Sequence, residues 1–364
     1  MREAIALARN GAGRVSPNPL VGAVVAQGDE VLGLGWHAEF GADHAEVVAL
    51  RNAGAGAKGA TLYVTLEPCR HVGKTPPCTE AILRAGIRRV VIACRDPNPI
   101  ASSGAEALRE AGLDVEIGLE GTAARRMNAP FLWFHARGFP FASLKLALSL
   151  DSKLGASSVR TPVTGPRALE EVHRLRASHD AILIGRNTAQ IDDPLLTARG
   201  EDSPRVPPIR VVLDSELRLG TDTQLVRTID QAPVWVVGDP ETPEFGVRSR
   251  QLSDAGVVVI GVPRAEPQPL RVEAIWKELG ARDVLSVLVE GGGRVASTLL
   301  ADGRIQRLHV FLAPIFFGAE GVPAFPDLSP SKSGDWKPVE RESLGPDTRI
   351  VFEHRVLDET LGDL

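Results

Sequence analysis

Apolar and polar positions along this chain switch between a helical and a strand-like period, and the switches mark its elements. Residues 2–10 repeat at the helical spacing, and Val21-Gly22-Ala23-Val24-Val25 is a continuous apolar run of strand length. Residues 44–53 read as a second helix, and Thr61-Leu62-Tyr63-Val64-Thr65-Leu66 as a strand running directly into Glu67-Pro68-Cys69. Pro76 and Pro77 precede a helix over 78–86, a place where proline suits a helix entry. A strand over 88–94, a helix over 104–111 and a strand over 114–118 complete an α/β layer pattern. A linker is expected at 135–140, after which the pattern restarts. Further strands are predicted at Phe141–Ala147, Ala181–Gly185, Ile209–Leu213, Val234–Val237, Val257–Ile260, Leu285–Glu290 and Leu308–Leu312, with helices near 270–280 and over Val295–Ala301. No internal repeat is present. Two α/β domains are expected, over 1–137 and 138–364, and 364 residues suffice for a buried core in each.

Composition narrows the class. Basic residues number 41 and acidic residues 46, a net charge of −5, which argues against a general nucleic-acid footprint. Only 3 cysteines occur, so a disulfide framework is not expected and a reducing compartment is. Cys94 sits in the apolar run Val90-Val91-Ile92-Ala93-Cys94 and reads as a core residue. The start of the chain is charged and amphipathic, unlike a signal peptide. No segment approaches a charge-free membrane span of about 20 residues. A soluble, cytoplasmic protein with no membrane partner is expected.

The candidate chemistry begins at His44-Ala45-Glu46, followed by Pro68-Cys69 and Pro77-Cys78. One imidazole and two thiolates suit zinc and leave a fourth tetrahedral position for water. The two thiolate charges balance the dication, and the ion acidifies its water. A carboxylate that is not a ligand must then move protons, and Glu46 is placed to do so; this is the equipment of a zinc deaminase. Asp43 with Glu46 also fits a capping box at a helix start. The generic signature separates its cysteines by two residues, whereas eight, Arg70 to Pro77, separate them here. In the second half, Glu290-Gly291-Gly292-Gly293 between a strand and a helix could cradle a phosphate or be only a structural turn. Asp192-Asp193-Pro194 reads either as a polar site or as a turn.

The order of motifs resembles the bifunctional deaminase–reductases of riboflavin biosynthesis. The resemblance is carried by Ser16-Pro17-Asn18-Pro19-Leu20-Val21-Gly22, the His44 triplet, Val64-Thr65-Leu66-Glu67-Pro68-Cys69, Gly73-Lys74-Thr75-Pro76-Pro77-Cys78 and Asp96-Pro97-Asn98-Pro99. It continues through Leu144-Lys145-Leu146-Ala147, Leu175-Arg176-Ala177, Val211-Val212-Leu213-Asp214-Ser215 and Val289-Glu290-Gly291-Gly292, and the long cysteine spacing belongs to that family. The resemblance implies a cytidine-deaminase-like three-layer α/β/α domain followed by a dihydrofolate-reductase-like α/β domain. It implies zinc-dependent deamination of 2,5-diamino-6-(5-phosphoribosylamino)pyrimidin-4-one, then NADPH-dependent reduction of the product's ribosyl chain to ribityl. His44, Cys69 and Cys78 are then the zinc ligands, Glu46 the proton carrier and Asn18 a substrate contact, while Lys74, Asp96 and Asn98 hold the ribose phosphate end. For the reductase it implies Thr188, Asp192 and Ser215 near NADPH and substrate, Arg176 and Arg199 as candidate phosphate contacts, and Glu290, Gly291 and Gly292 near both ligands. A homo-oligomer is expected.

The departures from the family pattern cluster in the second domain. Ser152 stands where the family has glycine after Ser149-Leu150-Asp151, Pro162-Val163-Thr164 replaces Trp-Ile-Thr, and Arg160 or Thr161 replaces a serine. Ile305-Gln306-Arg307 replaces a Val-Asp-Glu run, and Ile100-Ala101-Ser102-Ser103 replaces a more glycine-rich stretch. These changes leave open a deaminase whose second domain only binds or assembles; a deaminase of nucleic-acid bases is a separate alternative, which the net charge and the Gly73-Lys74-Thr75-Pro76-Pro77-Cys78 loop disfavour.

Overall fold

The computed structural model of the chain describes residues 1–71, 76–156, 161–200, 203–264, 271–329 and 334–364. It divides into two compact units, Met1–Gly138 joined by Glu359–Leu364, and Phe139–Asp358. Lys74 and Arg160 lie outside the described residues.

The first unit runs α1 (Arg2–Ala8), β1 (Gly22–Gln27), β2 (Glu30–Trp36), α2 (Ala45–Ala53), β3 (Thr61–Val64), α3 (Cys78–Arg84), β4 (Arg89–Ile92), α4 (Gly104–Glu110), β5 (Asp114–Ile117), α5 (Gly121–Met127) and α6 (Ala129–Arg137). Its sheet order is β2-β1-β3-β4-β5, antiparallel around β1 and parallel from β3 to β5. The strand β2 was not expected from the pattern, because Gly33 and Gly35 interrupt it. Those glycines have a packing reason. A β-carbon at Gly33 would lie 2.2 Å from the Ala49 carbonyl oxygen, and one at Gly35 would lie 2.3 Å from that of Ala45. Their bare backbone lets α2 press onto the sheet, and α2 carries the His44 triplet. Residues 135–137, expected in a linker, instead close α6, and Gly138 ends it with a positive φ of 74°. Cys94 is fully buried, as a core residue should be.

The second unit runs β6 (Phe141–Ser149), β7 (Lys153–Ala156), α7 (Pro166–Ala177), β8 (Ala181–Gly185), α8 (Arg186–Asp192), β9 (Ile209–Leu213), α9 (Gln224–Arg227), β10 (Val234–Gly238), α10 (Phe245–Asp254), β11 (Val258–Gly261), α11 (Val272–Gly280), β12 (Ser286–Val289), α12 (Gly293–Ala301), β13 (Arg307–Ala313), β14 (Gly321–Pro323), β15 (Trp336–Leu344) and β16 (Asp347–His354), and α13 (Arg355–Leu361) follows. The large sheet has the order β11-β10-β9-β8-β12-β6-β13-β16-β15. It is parallel from β11 to β13, and β16 and β15 add antiparallel at one edge. One core, around Leu144, Leu183, Trp276, Val287 and Leu299, packs α11 and α12 on the sheet. The parallel strands bring their carboxyl ends, at Gly185, Leu213, Gly238 and Val289, to one edge, where open α/β sheets hold ligands.

Candidate active site

His44 stands just ahead of α2 in an extended conformation, φ −70° and ψ 155°. That turn releases it from the helical spacing, which would otherwise set it far around the axis from Glu46. Asp43 pairs with Arg51 at 3.0 Å, and the residue at the cap position is His44, with no side-chain cap; the capping-box reading is therefore not what the chain builds. Cys78 opens α3 behind Pro77, and Cys69 lies in the loop beyond β3, accepting the Cys78 backbone N–H at 3.4 Å. His44 Nδ1 is 3.1 Å from Cys78 Sγ and 3.6 Å from Cys69 Sγ, and all three donor atoms lie within 4.8 Å of one another. Tetrahedral bonds of about 2.0–2.3 Å place zinc ligands roughly 3.3–3.8 Å apart, so this set fits the ion with little movement.

The electrostatics agree. The Cys78 thiol donates toward Cys69, and this bond, with His44 and the Cys78 N–H, pulls the Cys69 thiol down to about 4 against its burial. The same pairing, and then burial, pushes Cys78 up. Two sulfurs thus hold one proton in common, a position that a cation can take.

Beside the sulfurs opens a cavity of about 250 Å³, lined by Asn18, His44, Glu46, Cys69, Asp96 and Asn98 among others. Glu46 is only 3% exposed, and burial pushes its carboxyl above the usual range. A carboxyl poised to hold a proton is what acid–base work needs. Asp96 is lifted by burial to about 6, with the Glu67 and Cys69 charges adding to the lift. Its Oδ1 accepts the Asn98 backbone N–H at 2.8 Å, and the Asn98 side-chain Oδ1 in turn accepts from the Ile100 N–H at 3.1 Å. Glu67, 4% exposed, ties the loop by accepting from the Asp96 and Ala105 N–H groups. Sequence reasoning missed His37, His71, Phe40 and Phe131, which also line the cavity. A histidine after Gly33-Leu34-Gly35-Trp36 was the available signal for the first of these.

In the second unit, Arg176 of α7 reaches Glu290 at the end of β12. Its Nε lies 2.6 Å from Oε1 and its Nη2 2.9 Å from Oε2, a two-pronged ion pair with side chains 12% and 9% exposed. Arg176 also donates to the Thr197 carbonyl, so its fork is occupied within the protein. Burial pushes the Glu290 carboxyl up, but Arg176 and Lys145 together hold it below its ordinary value. Lys145 is the residue that sequence reasoning overlooked here. Register places Val289 beside Leu144, so Lys145 stands level with Glu290 on the adjacent strand. Its ammonium, drawn down by burial, lies 5.9 Å from the Phe311 ring centre and has no hydrogen-bond partner among the described residues. Two basic side chains thus flank one carboxylate.

Gly292 precedes α12 in extended conformation, and a β-carbon on it would lie 3.5 Å from the Thr188 hydroxyl. At Gly291 a β-carbon would lie 2.8 Å from that of Val295. The bare turn and the N–H groups that follow it suit a cofactor phosphate. Ser215 follows β9 at the same sheet edge, and Asp192 closes α8. Arg199 is exposed, with its backbone N–H 3.3 Å from His173 Nδ1. Asp193 accepts the N–H of Gln224, the first residue of α9, so this half of the Asp192-Asp193-Pro194 turn is structural.

Residues 1–94 match the cytidine and deoxycytidylate deaminase zinc-binding region, and residues 140–350 match the RibD C-terminal domain. The riboflavin biosynthesis protein RibD of Aquifex aeolicus is 38% identical over 358 residues, covering 97% of each chain. The chain belongs to the RibD family. The Synechocystis RibD is 40% identical over 325 residues, 89% of this chain and 86% of its own. Among solved structures, Acinetobacter baumannii RibD is 32% identical with a TM-score of 0.86, covering 97% of each chain. A Thermotoga maritima diaminohydroxyphosphoribosylaminopyrimidine deaminase/5-amino-6-(5-phosphoribosylamino)uracil reductase is 33% identical with a TM-score of 0.84 over the same share.

Within this RibD framework the departures in the second unit acquire local explanations. Ser152 has φ 60°, in the left-handed region where glycine is at ease. Gln306 is fully buried and accepts the Ala142 N–H at 2.9 Å, stitching β6 to β13. Arg307 pairs with Glu353 at 2.8 Å and lies over the Phe141 ring. Pro162, Val163 and Thr164 form the irregular approach to α7, whose first N–H groups include that of Gly165, held by Asp347 at 2.7 Å. The changes at 152, 306 and 307 belong to turns and framework.

Proposed function

We propose that residues 1–137 deaminate 2,5-diamino-6-(5-phosphoribosylamino)pyrimidin-4(3H)-one and that residues 138–364 reduce the ribosyl chain of the resulting 5-amino-6-(5-phosphoribosylamino)uracil to ribityl. Family membership makes the chain a riboflavin-biosynthesis enzyme with both a deaminase and a reductase domain, using zinc and NADPH. The observation that carries the first reaction is the His44, Cys69 and Cys78 donor set beside a cavity whose buried carboxyl is Glu46.

Zinc, when bound, supplies acidified water at ordinary pH. Glu46 takes one proton from the attacking water and passes it to the ring nitrogen, then carries the second from the hydroxyl now on the ring carbon to the departing amine, so that water, the ring nitrogen and the C–NH2 group become C=O, a ring N–H and ammonia. Asn18 contacts the pyrimidine. Asp96, an acceptor, suits a ribose hydroxyl better than a phosphate, and Asn98 offers its amide N–H groups beside it. Lys74 is the proposed phosphate partner, as a point charge.

In the reductase, NADPH supplies the hydride, and the chain's own residues align it and balance charge. The Gly291-Gly292 turn with Thr188 would hold a phosphate of the cofactor, with Ser215 and Asp192 bordering the site. Glu290, held by Arg176, orients Lys145, whose ammonium stabilises the negative charge that develops on the sugar oxygen. Arg176 acts by positioning Glu290, which leaves Arg199 as the arginine free for a phosphate. The test is a coupled assay of ammonia release and NADPH oxidation. Glu46→Gln should lower deamination by about 10²–10⁴-fold with zinc content and NADPH oxidation on supplied product unchanged; intact deamination would remove Glu46 from the mechanism.

The protein is further proposed to be a cytoplasmic homo-oligomer acting on small molecules. No helix among the described residues is long and apolar enough to cross a membrane, and Cys69 and Cys78 must stay reduced to serve the ion. The outer side of β15, a largely exposed edge strand, is available to a second copy. Light scattering tests the assembly.

A further inference from the structure

His37 fixes a hydrogen-bond polarity inside the deaminase cavity. It follows β2, is 2% exposed, and meets the His44 ring edge-on with centroids 5.5 Å apart. Its Nδ1 lies 3.1 Å from the backbone carbonyl oxygen of Asp43. A carbonyl oxygen only accepts, so Nδ1 carries the hydrogen. The group that faces the other ring nitrogen is an amide nitrogen, which can only donate, so Nε2 is the acceptor, and no carboxylate among the described residues bonds this ring. Nε2 lies 3.0 Å from Asn18 Nδ2. The Asn18 amide therefore spends an N–H on His37, and its carbonyl oxygen has no partner among the described residues on a side chain that lines the cavity.

We propose that His37 is a positioning residue whose single tautomer, set by the Asp43 carbonyl, turns Asn18 into a hydrogen-bond acceptor that selects pyrimidines carrying an N–H beside the reacting carbon. The inference rests on the deaminase reading above and deepens it. A 2-aminopyrimidin-4-one has an N3–H next to the carbon that loses its amine. A cytosine has, next to its own amine-bearing carbon, only an unprotonated ring nitrogen and a C–H. An acceptor facing that edge pairs with the first and is left unpaired by the second. Sites built around a substrate N–H commonly reject analogues lacking it by about 10⁴–10⁵-fold.

The experiment uses the zinc-loaded full chain and compares His37→Gln, His37→Leu and Asn18→Asp for zinc content, kcat and KM, with the inhibition constant of a 3-deaza analogue in which N3–H is replaced by C–H. Glutamine offers a donor nitrogen and an acceptor oxygen on either side of one carbon, as the two imidazole nitrogens flank Cε1, so His37→Gln should stay within about tenfold of the parent kcat/KM, and His37→Leu should lose about 10²–10³-fold with zinc retained. The parent should bind the 3-deaza analogue at least tenfold more weakly than substrate, and His37→Leu should flatten that difference. Asn18→Asp sets a carboxylate against the Nε2 lone pair and should lose as much as His37→Leu. Equal losses in the Gln and Leu variants, or an active Asn18→Asp enzyme, would overturn the proposal. Nitrogen NMR of His37 separates this outcome from failure of the deaminase reading: an enzyme inactive on the diaminopyrimidine removes the substrate, whereas a protonated Nε2 removes the polarity.

Discussion

Replacing Arg176 by methionine should destabilise the reductase unit by about 3 kcal/mol near neutral pH, and the loss should shrink in acid. The Arg176–Glu290 contacts at 2.6 and 2.9 Å join side chains that are 12% and 9% exposed. At an effective dielectric of about 20, opposite charges at this separation attract by roughly 6 kcal/mol before the cost of desolvating them. Removing one partner of a buried pair typically costs about 3–5 kcal/mol, because the other charge is left behind. Lys145 stays beside Glu290, which places the expected loss at the lower end. In the parent, Glu290 is held below its ordinary 4.5, so its contribution is complete above that pH and disappears as pH falls through the lower folded value. In Arg176→Met burial dominates, and the folded carboxyl moves toward or above the unfolded value. The variant then falls further behind the parent as pH rises from acid to neutral. Hydrogen exchange of peptides from α7 and β12, in urea at about pH 4 and about pH 8, reads this unit apart from the deaminase. A loss under about 1 kcal/mol at the higher pH, or a gap that widens in acid, would refute the reasoning. Glu290→Gln supplies the complementary case: it strands two cations, Lys145 and Arg176, and should cost at least as much.

Gly35→Ala would set a β-carbon 2.3 Å from the Ala45 carbonyl, on the backbone of α2, so melting temperature and zinc affinity should fall together in one variant. Ser152→Gly relieves a positive φ of 60° and should raise stability by about 1 kcal/mol in denaturant titrations, with NADPH affinity unchanged. Asp96→Asn should stabilise the deaminase unit by roughly 2–3 kcal/mol at about pH 8 while raising the KM for its substrate. Because burial lifts the folded carboxyl from 3.8 to about 6, the penalty is absent below the first value and full above the second, so urea titrations should show the advantage vanish at about pH 4.

How much the sequence reveals depends on how local each feature's cause is. The parallel strands Ala181–Gly185, Ile209–Leu213 and Val234–Gly238 are buried on both faces and read as plain apolar runs. The helix starts at the metal site were equally legible, since Pro77 and the polar triplet mark them. The strand β2 was not, because its glycines answer to α2 packing above them, a contact made by residues ten positions away and more. The turn joining it to β1, Gly28-Asp29 with φ 61° at the glycine, was nevertheless a usable hairpin signal. The β15–β16 hairpin was missed for a different reason. Its outer strand is exposed on most positions, and Arg349 and Glu353 occupy buried places on the inner one, paired to Glu171 and Arg307. Charge there replaces the apolar alternation that a pattern search needs.

The same distinction separates the two catalytic sites. The deaminase is written in short motifs because zinc demands particular atoms: an imidazole and two sulfurs have no substitutes of similar chemistry, and His44, Cys69 and Cys78 converge as those motifs require. The reductase asks for alignment and charge balance, which many residue types supply. Its Lys145, Arg176 and Glu290 come from a strand, a helix and a strand end separated by 114 positions between the last two, and each is ordinary in its own segment. Only the register of β6 against β12 brings Lys145 level with Glu290. A residue such as Gln306, which departs from the family pattern, can therefore be structural, while one as unremarkable in sequence as Lys145 stands beside Glu290, where we propose that it carries the charge the reduction needs. Sequence departures in such a domain weigh against activity only where the fold places them beside this trio or the Gly291-Gly292 turn, whereas Ser152 sits in a turn and Gln306 and Arg307 have their described partners on the neighbouring strands β6 and β16.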